Sequence, residues 1–278
     1  MDERYLVTGA TGLIGSGVLN ALRALGKNVL GASRSAPGNG WVNLDFENPR
    51  TFPGALAGMD KLMLIARPGD ENADVLAAPL IEEMVRQGIS KVCLLSALGA
   101  GQRPEFSLRK VEKLVEQSGL SWVHVRPNFF MQMLAIPPLS VEIRERKTLS
   151  LPLGSARVAY VHARDVVDVM VKALCDDTLN GAALELNGPH ALTHEDIAAS
   201  ISEAAGQRIR YVDITDAHAR QLLQERNFAP AHVERVMTFY KLIKAGWCAQ
   251  ADCEIASLLG RPLRTFGDFA FENRERWN

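Results

Sequence analysis

Glycines at positions 9, 12 and 15 give the first chemical signal in the chain, as Gly9-Ala-Thr-Gly12-Leu-Ile-Gly15. A GxxGxxG spacing between an apolar run and an amphipathic one makes a tight turn that opens a helix. The free N–H groups and partial positive charge of that helix end suit a pyrophosphate. The flanks agree: Tyr5 to Thr8 reads as a buried strand, and Leu13, Val18, Leu19, Leu22 and Leu25 then recur at helical spacing. The second signal is Ser33-Arg34-Ser35, just after the next predicted strand, Val29 to Ala32. A site for NAD carries an acid here to hold the ribose 2′-hydroxyl. Arginine instead keeps its charge and grips a phosphate with paired donors. The residues therefore predict NADPH or NADP as cofactor, with Arg34 on the 2′-phosphate and Ser33 and Ser35 as supporting donors.

Other reactive groupings carry less. His190 and His194 straddle a loop and a helix start, a poor arrangement for a metal pair, and no metal is expected. No GxSxG element supports hydrolase chemistry. The four cysteines, Cys93, Cys175, Cys248 and Cys253, form no CxxC and read as reduced thiols. Met131, Met133, Tyr160 and Trp247 are candidates for an apolar pocket, with core packing as the plain alternative for each.

The elements that must hold these residues follow from periodicity. Strands are predicted at Lys61 to Ala66, Lys91 to Ser96 and Trp122 to Arg126, and helices at Ala73 to Gln87 and Leu108 to Gln117. With the first two strands this makes five, joined by helical crossovers. That pattern is α/β, and its natural solution is a Rossmann-type doubly wound parallel sheet. Beyond Pro127 the punctuation changes, with Pro137, Pro138, Pro152 and Gly154 breaking the chain. Thr193 to Asp196 opens a helix as a capping-box variant. The expected organisation is a Rossmann core over residues 1–130. Residues 131–278 are expected to return partly to that core and otherwise to form a smaller substrate-binding cap.

Composition limits the partners. Of 278 residues, 47% are hydrophobic and 23% charged, ordinary for a globular chain with a real core. Lysine and arginine total 31 against 32 acids, so no basic excess favours nucleic acid. No apolar stretch suits a signal peptide or a membrane span, and a cytoplasmic monomer or homodimer acting on a small molecule is expected.

Taken together, these stretches resemble the NmrA-like group of atypical short-chain dehydrogenases/reductases. The likeness rests on GATGxxG, the arginine after the second strand, Leu44-Asp45-Phe46, Ser118 to Pro127 and Asn128-Phe129-Phe130. It continues in Asp165-Val-Val-Asp168, Leu186-Asn-Gly188-Pro189 and the closing GRPLRTFGDF. Within the group it is nearest the branch of agroclavine and festuclavine dehydrogenases, triphenylmethane reductases and small quinone reductases, which implies a place in secondary metabolism. The resemblance implies that Gly9, Thr11, Gly12, Leu13 and Ile14 line the pyrophosphate, and that Asp45 and Phe46 contact adenine. It sets Ala66, Arg67 and Pro68 on the ribose side, Ser96 and Ala97 near the nicotinamide, and Pro127, Asn128 and Phe129 at its border. Phe130, with Met133, Tyr160 and Trp247, is expected at the substrate.

Typical short-chain dehydrogenases use a YxxxK pair, whose counterpart here is Phe106-Ser-Leu-Arg-Lys110. The lysine is kept and the tyrosine is replaced. Reducing a simple ketone creates an alkoxide that needs a proton donor. A cationic carbon needs only hydride, and a quinone spreads its new charge over a ring. The expectation is an NADPH-dependent reductase for a flat, apolar acceptor (an iminium or other cationic carbon, a quinone or an enone) with Lys110 and Ser96 as candidate catalytic groups. The alternative is a redox sensor that binds NADP(H) without turnover.

Overall fold

The computed structural model describes residues 3–66, 71–251 and 254–278. Arg67 and Pro68, expected on the ribose side, and Cys253 lie outside the described residues.

In chain order the first elements are β1 (Arg4–Val7), α1 (Leu13–Ala24), β2 (Asn28–Ser33), β3 (Trp41–Asn43), α2 (Phe52–Leu56) and β4 (Lys61–Ile65). They are followed by α3 (Ala73–Gln87), β5 (Lys91–Leu95), α4 (Ser107–Gln117) and β6 (Ser121–Pro127). Next come α5 (Leu139–Arg146), β7 (Thr148–Leu151), α6 (Ala163–Cys175) and β8 (Ala182–Leu186). The chain ends with α7 (His194–Ala205), β9 (Arg210–Asp213), α8 (Asp216–Glu225), α9 (Pro230–Lys244), α10 (Glu254–Leu259) and α11 (Phe266–Glu272).

Two compact units result. The first comprises residues 1–127 and 163–186, the second residues 128–162 and 187–278.

The first unit is a seven-stranded sheet in the order β3-β2-β1-β4-β5-β6-β8, parallel at every pairing. This is the doubly wound order with one strand added, so the α/β class read from the sequence holds. The expected five strands become seven. Trp41–Asn43 is only three residues long and Ala182–Leu186 (AALEL) lacks β-branched residues, so neither carries a strand signal of its own. Register supplies what propensity lacks: β8 pairs from Val123↔Ala182 to Pro127↔Leu186. Central strands such as KLMLI and KVCLL are apolar almost throughout because both faces are covered.

Their N-terminal lysines are the exception, and both are buried. Lys91 Nζ donates to the Asp176 carbonyl (2.9 Å) and to Asp177 Oδ1 (3.1 Å), and Lys61 Nζ reaches the same Asp177 oxygen at 3.2 Å. The turn before β8 is thus fastened to the N-terminal edge of the sheet, the edge opposite the glycine turn.

Helix α6 lies against α1, where Val167 Cγ2 comes within 2.6 Å of the point a Cβ on Gly17 would occupy. Val167 therefore serves helix packing, and Val166 lies in the core.

In the second unit β7 and β9 form a parallel pair, Thr148↔Arg210 to Leu151↔Asp213. The capping box expected at Thr193 is present: Asp196 N–H donates to Thr193 Oγ1 (3.1 Å) and Thr193 N–H to Asp196 Oδ2 (2.9 Å). Thr265 and Asp268 repeat it at the start of α11. Trp277 is fully buried, with its indole N–H on the Ala270 carbonyl at 2.9 Å. Among the described residues no helix is long and apolar enough to cross a membrane.

Candidate functional site

Strand order reverses between β1 and β4, and the glycine turn leaves β1 at that switch point, where open α/β sheets receive their ligands. The glycines differ in what they do. Gly9 adopts φ +58°, a left-handed conformation that favours glycine. Gly15 is buried, and a Cβ there would lie 2.2 Å from the Gly9 carbonyl oxygen. Gly12 has an ordinary extended backbone (φ −88°, ψ 176°) as N-cap of α1 and gives the helix no side-chain cap. Its own N–H is spent on the Gly9 carbonyl at 2.9 Å. The N–H groups of Leu13, Ile14 and Gly15 have no acceptor among the described residues, and no acid stands in the first turn. An uncapped helix end with three free donors and no negative charge fits a pyrophosphate.

At the end of β2 the Arg34 side chain is exposed, and its guanidinium has no hydrogen bond or ion pair among the described residues. Its backbone is pinned instead, with Asn43 Nδ2 donating to the Arg34 carbonyl at 2.6 Å. Ser33 Oγ accepts the Ala36 N–H at 3.1 Å, which leaves its own proton to give. The charged head is free on a fixed stem, an arrangement suited to a phosphate.

Asp45 Oδ1 accepts the Glu47 N–H (3.1 Å), and the Asp45 N–H donates to Thr51 Oγ1 (3.0 Å), so this acid shapes the turn after β3. Phe46 packs on the sheet core while remaining partly exposed. Ala66, directly after β4, is buried, and Ala97 is half-buried. Lys110 lies exposed in the first turn of α4, its ammonium unengaged among the described residues.

Ser96 departs from a simple catalytic picture. Its hydroxyl is buried beside the Glu112 carboxylate, without a well-aligned hydrogen bond. Glu112 sits on the buried stripe of α4 with Leu108, Val111 and Val115. Arg126 of β6 grips it through Nε and Nη2, both at 2.8 Å, and Arg109 Nη1 donates to it at 2.9 Å. Burial alone would raise the Glu112 pKa, but the Arg126 fork holds it below the usual carboxylate range. Arg109 also binds Glu116, which stands 3.3 Å from His124 Nε2. Glu112, Glu116 and His124 are ligand types, yet two guanidiniums already occupy the carboxylates, which makes this an ion-pair core. The sequence reading missed that core. Its signal was a glutamate at an apolar helical position facing an arginine inside a strand.

In the second unit Asn128 is buried and its side chain is committed. Nδ2 donates to Asn187 Oδ1 (2.8 Å) and to the Cys248 carbonyl (3.0 Å), while Oδ1 accepts the Phe129 N–H (2.8 Å). Phe129 meets Phe239 edge-on with centroids 5.4 Å apart, and Phe130 pairs through its backbone with Val161. Met133 and Trp247 are large apolar side chains left exposed, at 46% and 43%.

Tyr160 is buried, its hydroxyl 3.0 Å from Nε2 of His194. Burial pushes His194 down to about 4, and the neighbours that face it are the neutral Tyr160 and Tyr211 rings. Between pH 6.5 and 4 the unfolded chain therefore takes up a proton that the folded one refuses, so stability falls as pH falls through that window. This group removes about 2 kcal/mol between pH 7 and 5. His194→Gln, which cannot titrate, is expected to flatten the fall by that amount in urea midpoints measured at both pH values. An unchanged slope would mean that His194 takes its proton normally in the folded state.

A family model described as NAD(P)H-binding matches residues 9–177, a range that takes in most of the first unit together with residues 128–162 of the second. The chain is a member of the NAD(P)H-binding family. It is 31% identical to the NAD(P)H azoreductase of Xenophilus azovorans, over 95% of this chain and 96% of that one. Among solved structures, the NADPH-dependent quinone oxidoreductase of Escherichia coli, complexed with NADPH, superposes with a TM-score of 0.87 at 18% identity, covering 96% and 99% of the two chains. The triphenylmethane reductase of Citrobacter sp., complexed with NADP(H), gives 0.85 at 16%, covering 99% and 100%. The family match and the azoreductase relative bear out the oxidoreductase class and NAD(P)H as cofactor, and the solved structures bear out the fold.

Proposed function

We propose that this NAD(P)H-binding protein is an NADPH-dependent reductase that delivers hydride to a flat, largely apolar acceptor without a tyrosine proton donor. The observation that carries the reading is the start of α4. Phe106 occupies its N-cap position, and Lys110 stands exposed in its first turn. Tyr5 is the one tyrosine in the nucleotide-binding unit, and it belongs to the N-terminal half of β1, with its hydroxyl bonded to Glu3. No phenol of this unit is therefore available at the C-terminal ends of the strands. An acceptor that demands a positioned acid is a poor match. A cationic carbon, a quinone, an enone or an azo group takes hydride into a cation or a conjugated system and depends less on one.

Bound NADPH supplies the hydride. The N–H groups of Leu13, Ile14 and Gly15 hold the pyrophosphate, and Arg34 with Ser33 takes the 2′-phosphate. Asp45 and Phe46 border the adenine, with Ala66 on the ribose side. The exposure of Lys110 in the first turn of α4 supports a role as donor to the nicotinamide ribose, with Ala97 and Pro127 bordering the ring. Exposed apolar groups such as Met133 and Trp247 are suited to a flat acceptor, Phe130 adding a partly buried ring. The azoreductase, quinone oxidoreductase and triphenylmethane reductase likenesses support an acceptor of this kind. Positioning then supplies most of the catalysis.

The test is NADPH oxidation, followed by absorbance, against a quinone, a triarylmethyl dye, a cyclic iminium, an enone, an azo dye and an aldehyde, each repeated with NADH. Turnover with the conjugated or cationic members and none with the aldehyde is the expected result. Aldehyde turnover at a similar rate would reveal a proton donor and overturn the reading. Tight NADPH binding with no turnover at all would instead favour a sensor.

A further inference from the structure

The segment after β5 begins with Ser96 and Ala97 and runs through a 3₁₀ turn at Ala100–Gln102. Three contacts tie it to β6. Ser96 N–H donates to the Val125 carbonyl (2.8 Å), and Leu98 N–H donates to the Pro127 carbonyl (3.0 Å). The third involves Arg126. A Cβ built on Gly101 would lie 2.6 Å from Arg126 Nη1 and 3.0 Å from its Cζ, so the Gly101 backbone lies directly against the guanidinium. That guanidinium is not free to move. Glu112 holds it through two parallel bonds, and Glu185 of β8 approaches Nη1 at 3.7 Å. Glu112 belongs to α4, the helix that presents Lys110.

One planar cation therefore supports two segments at the same edge of the sheet, the turn containing Ala97 and the helix containing Lys110. A buried ion pair is a weak source of stability, because desolvation offsets most of its attraction. Its geometry is better suited to fixing position. We propose that Arg126 is a positioning residue for the cofactor: locked by Glu112, its guanidinium sets the height of the 97–102 turn and the placement of Lys110. The proposal rests on the reading that these two segments border the nicotinamide side.

Two variants test it. Arg126→Lys keeps the charge but loses the fork and the flat surface beneath Gly101. The double variant Arg126→Met with Glu112→Met removes both charges together, which avoids leaving either one buried alone. Hydrogen–deuterium exchange of the ligand-free protein, NADPH titration and Tm are read for each. Both variants are expected to lose protection at the amides of residues 97–103 while those of β4 and β5 stay protected. NADPH is expected to bind about tenfold more weakly, and the double variant is expected to keep the wild-type Tm. Retained protection of the turn, or unchanged NADPH affinity in a turn that has loosened, overturns the proposal. Failure of the wild-type protein to bind NADPH would remove the reading of the site, whereas the exchange result would still report on Arg126 itself.

Discussion

Gly15→Ala is expected to weaken NADPH binding by about 100-fold or more while lowering stability by about 1–3 kcal/mol. The reason is steric and local. The new methyl would sit 2.2 Å from the Gly9 carbonyl oxygen, 2.6 Å from its carbon and 3.0 Å from Ala10 Cα. All three are backbone atoms, so no side chain can swing aside. Relief requires α1 to lift from the β1 turn, and that carries the free N–H groups of Leu13, Ile14 and Gly15 away from their common focus. Each hydrogen bond to a charged oxygen is worth about 1.5–3 kcal/mol, so misplacing two of them accounts for the loss. Gly12→Ala is the control. Its backbone is already extended, and its Cβ would meet the Gly9 oxygen at 3.3 Å, a close contact that a small shift relieves. That variant is expected to keep its urea midpoint, whatever its affinity. NADPH titration with parallel urea melts separates the two. Wild-type affinity in Gly15→Ala would show that the helix end is not the phosphate site.

The same turn explains how much of the molecule could be read in advance. Gly9 and Gly15 are legible because each answers a backbone requirement, and backbone requirements leave few residue choices. Helix α1 is legible through Val18, Leu19 and Leu22, whose spacing is a local property of the chain. Strand β8 was not, because Ala182–Leu186 is a strand only by virtue of its pairing with β6. The fate of Ser96 was equally out of reach. Whether a strand-end serine faces a ligand or a buried carboxylate depends on Glu112, which a different helix supplies. The closing Thr265-Phe-Gly-Asp268 stretch reads as a family mark, but its Thr and Asp are a capping box on α11, so helix capping accounts for both. Local geometry and helical period were visible in the sequence, and cross-element electrostatics were not.

Arg34→Ala is expected to weaken NADPH binding by about 10- to 100-fold and to leave NADH binding within about twofold of wild type, as the loss of one charged phosphate contact of about 1.5–3 kcal/mol requires. The asymmetry follows from where the residue sits. Arg34 holds no other residue in place: its guanidinium is unpaired among the described residues, and only its backbone carbonyl is engaged, by Asn43. Truncation therefore removes a ligand contact without disturbing the end of β2, and melting temperatures are expected to match. Exposure sets a second signature. An exposed guanidinium meets its phosphate partly in solvent, so the wild-type preference for NADPH should shrink as salt is raised, while that of Arg34→Ala should be nearly salt-independent. Titrating both cofactors at low and high ionic strength measures this directly. Equal losses for NADH and NADPH would mean that Arg34 acts on a part of the dinucleotide common to both, and the assignment of the 2′-phosphate to this residue would have to be abandoned. A preference that survives the substitution would shift attention to Ser33, whose hydroxyl proton is the nearest remaining donor in the sequence with an acceptor already satisfied.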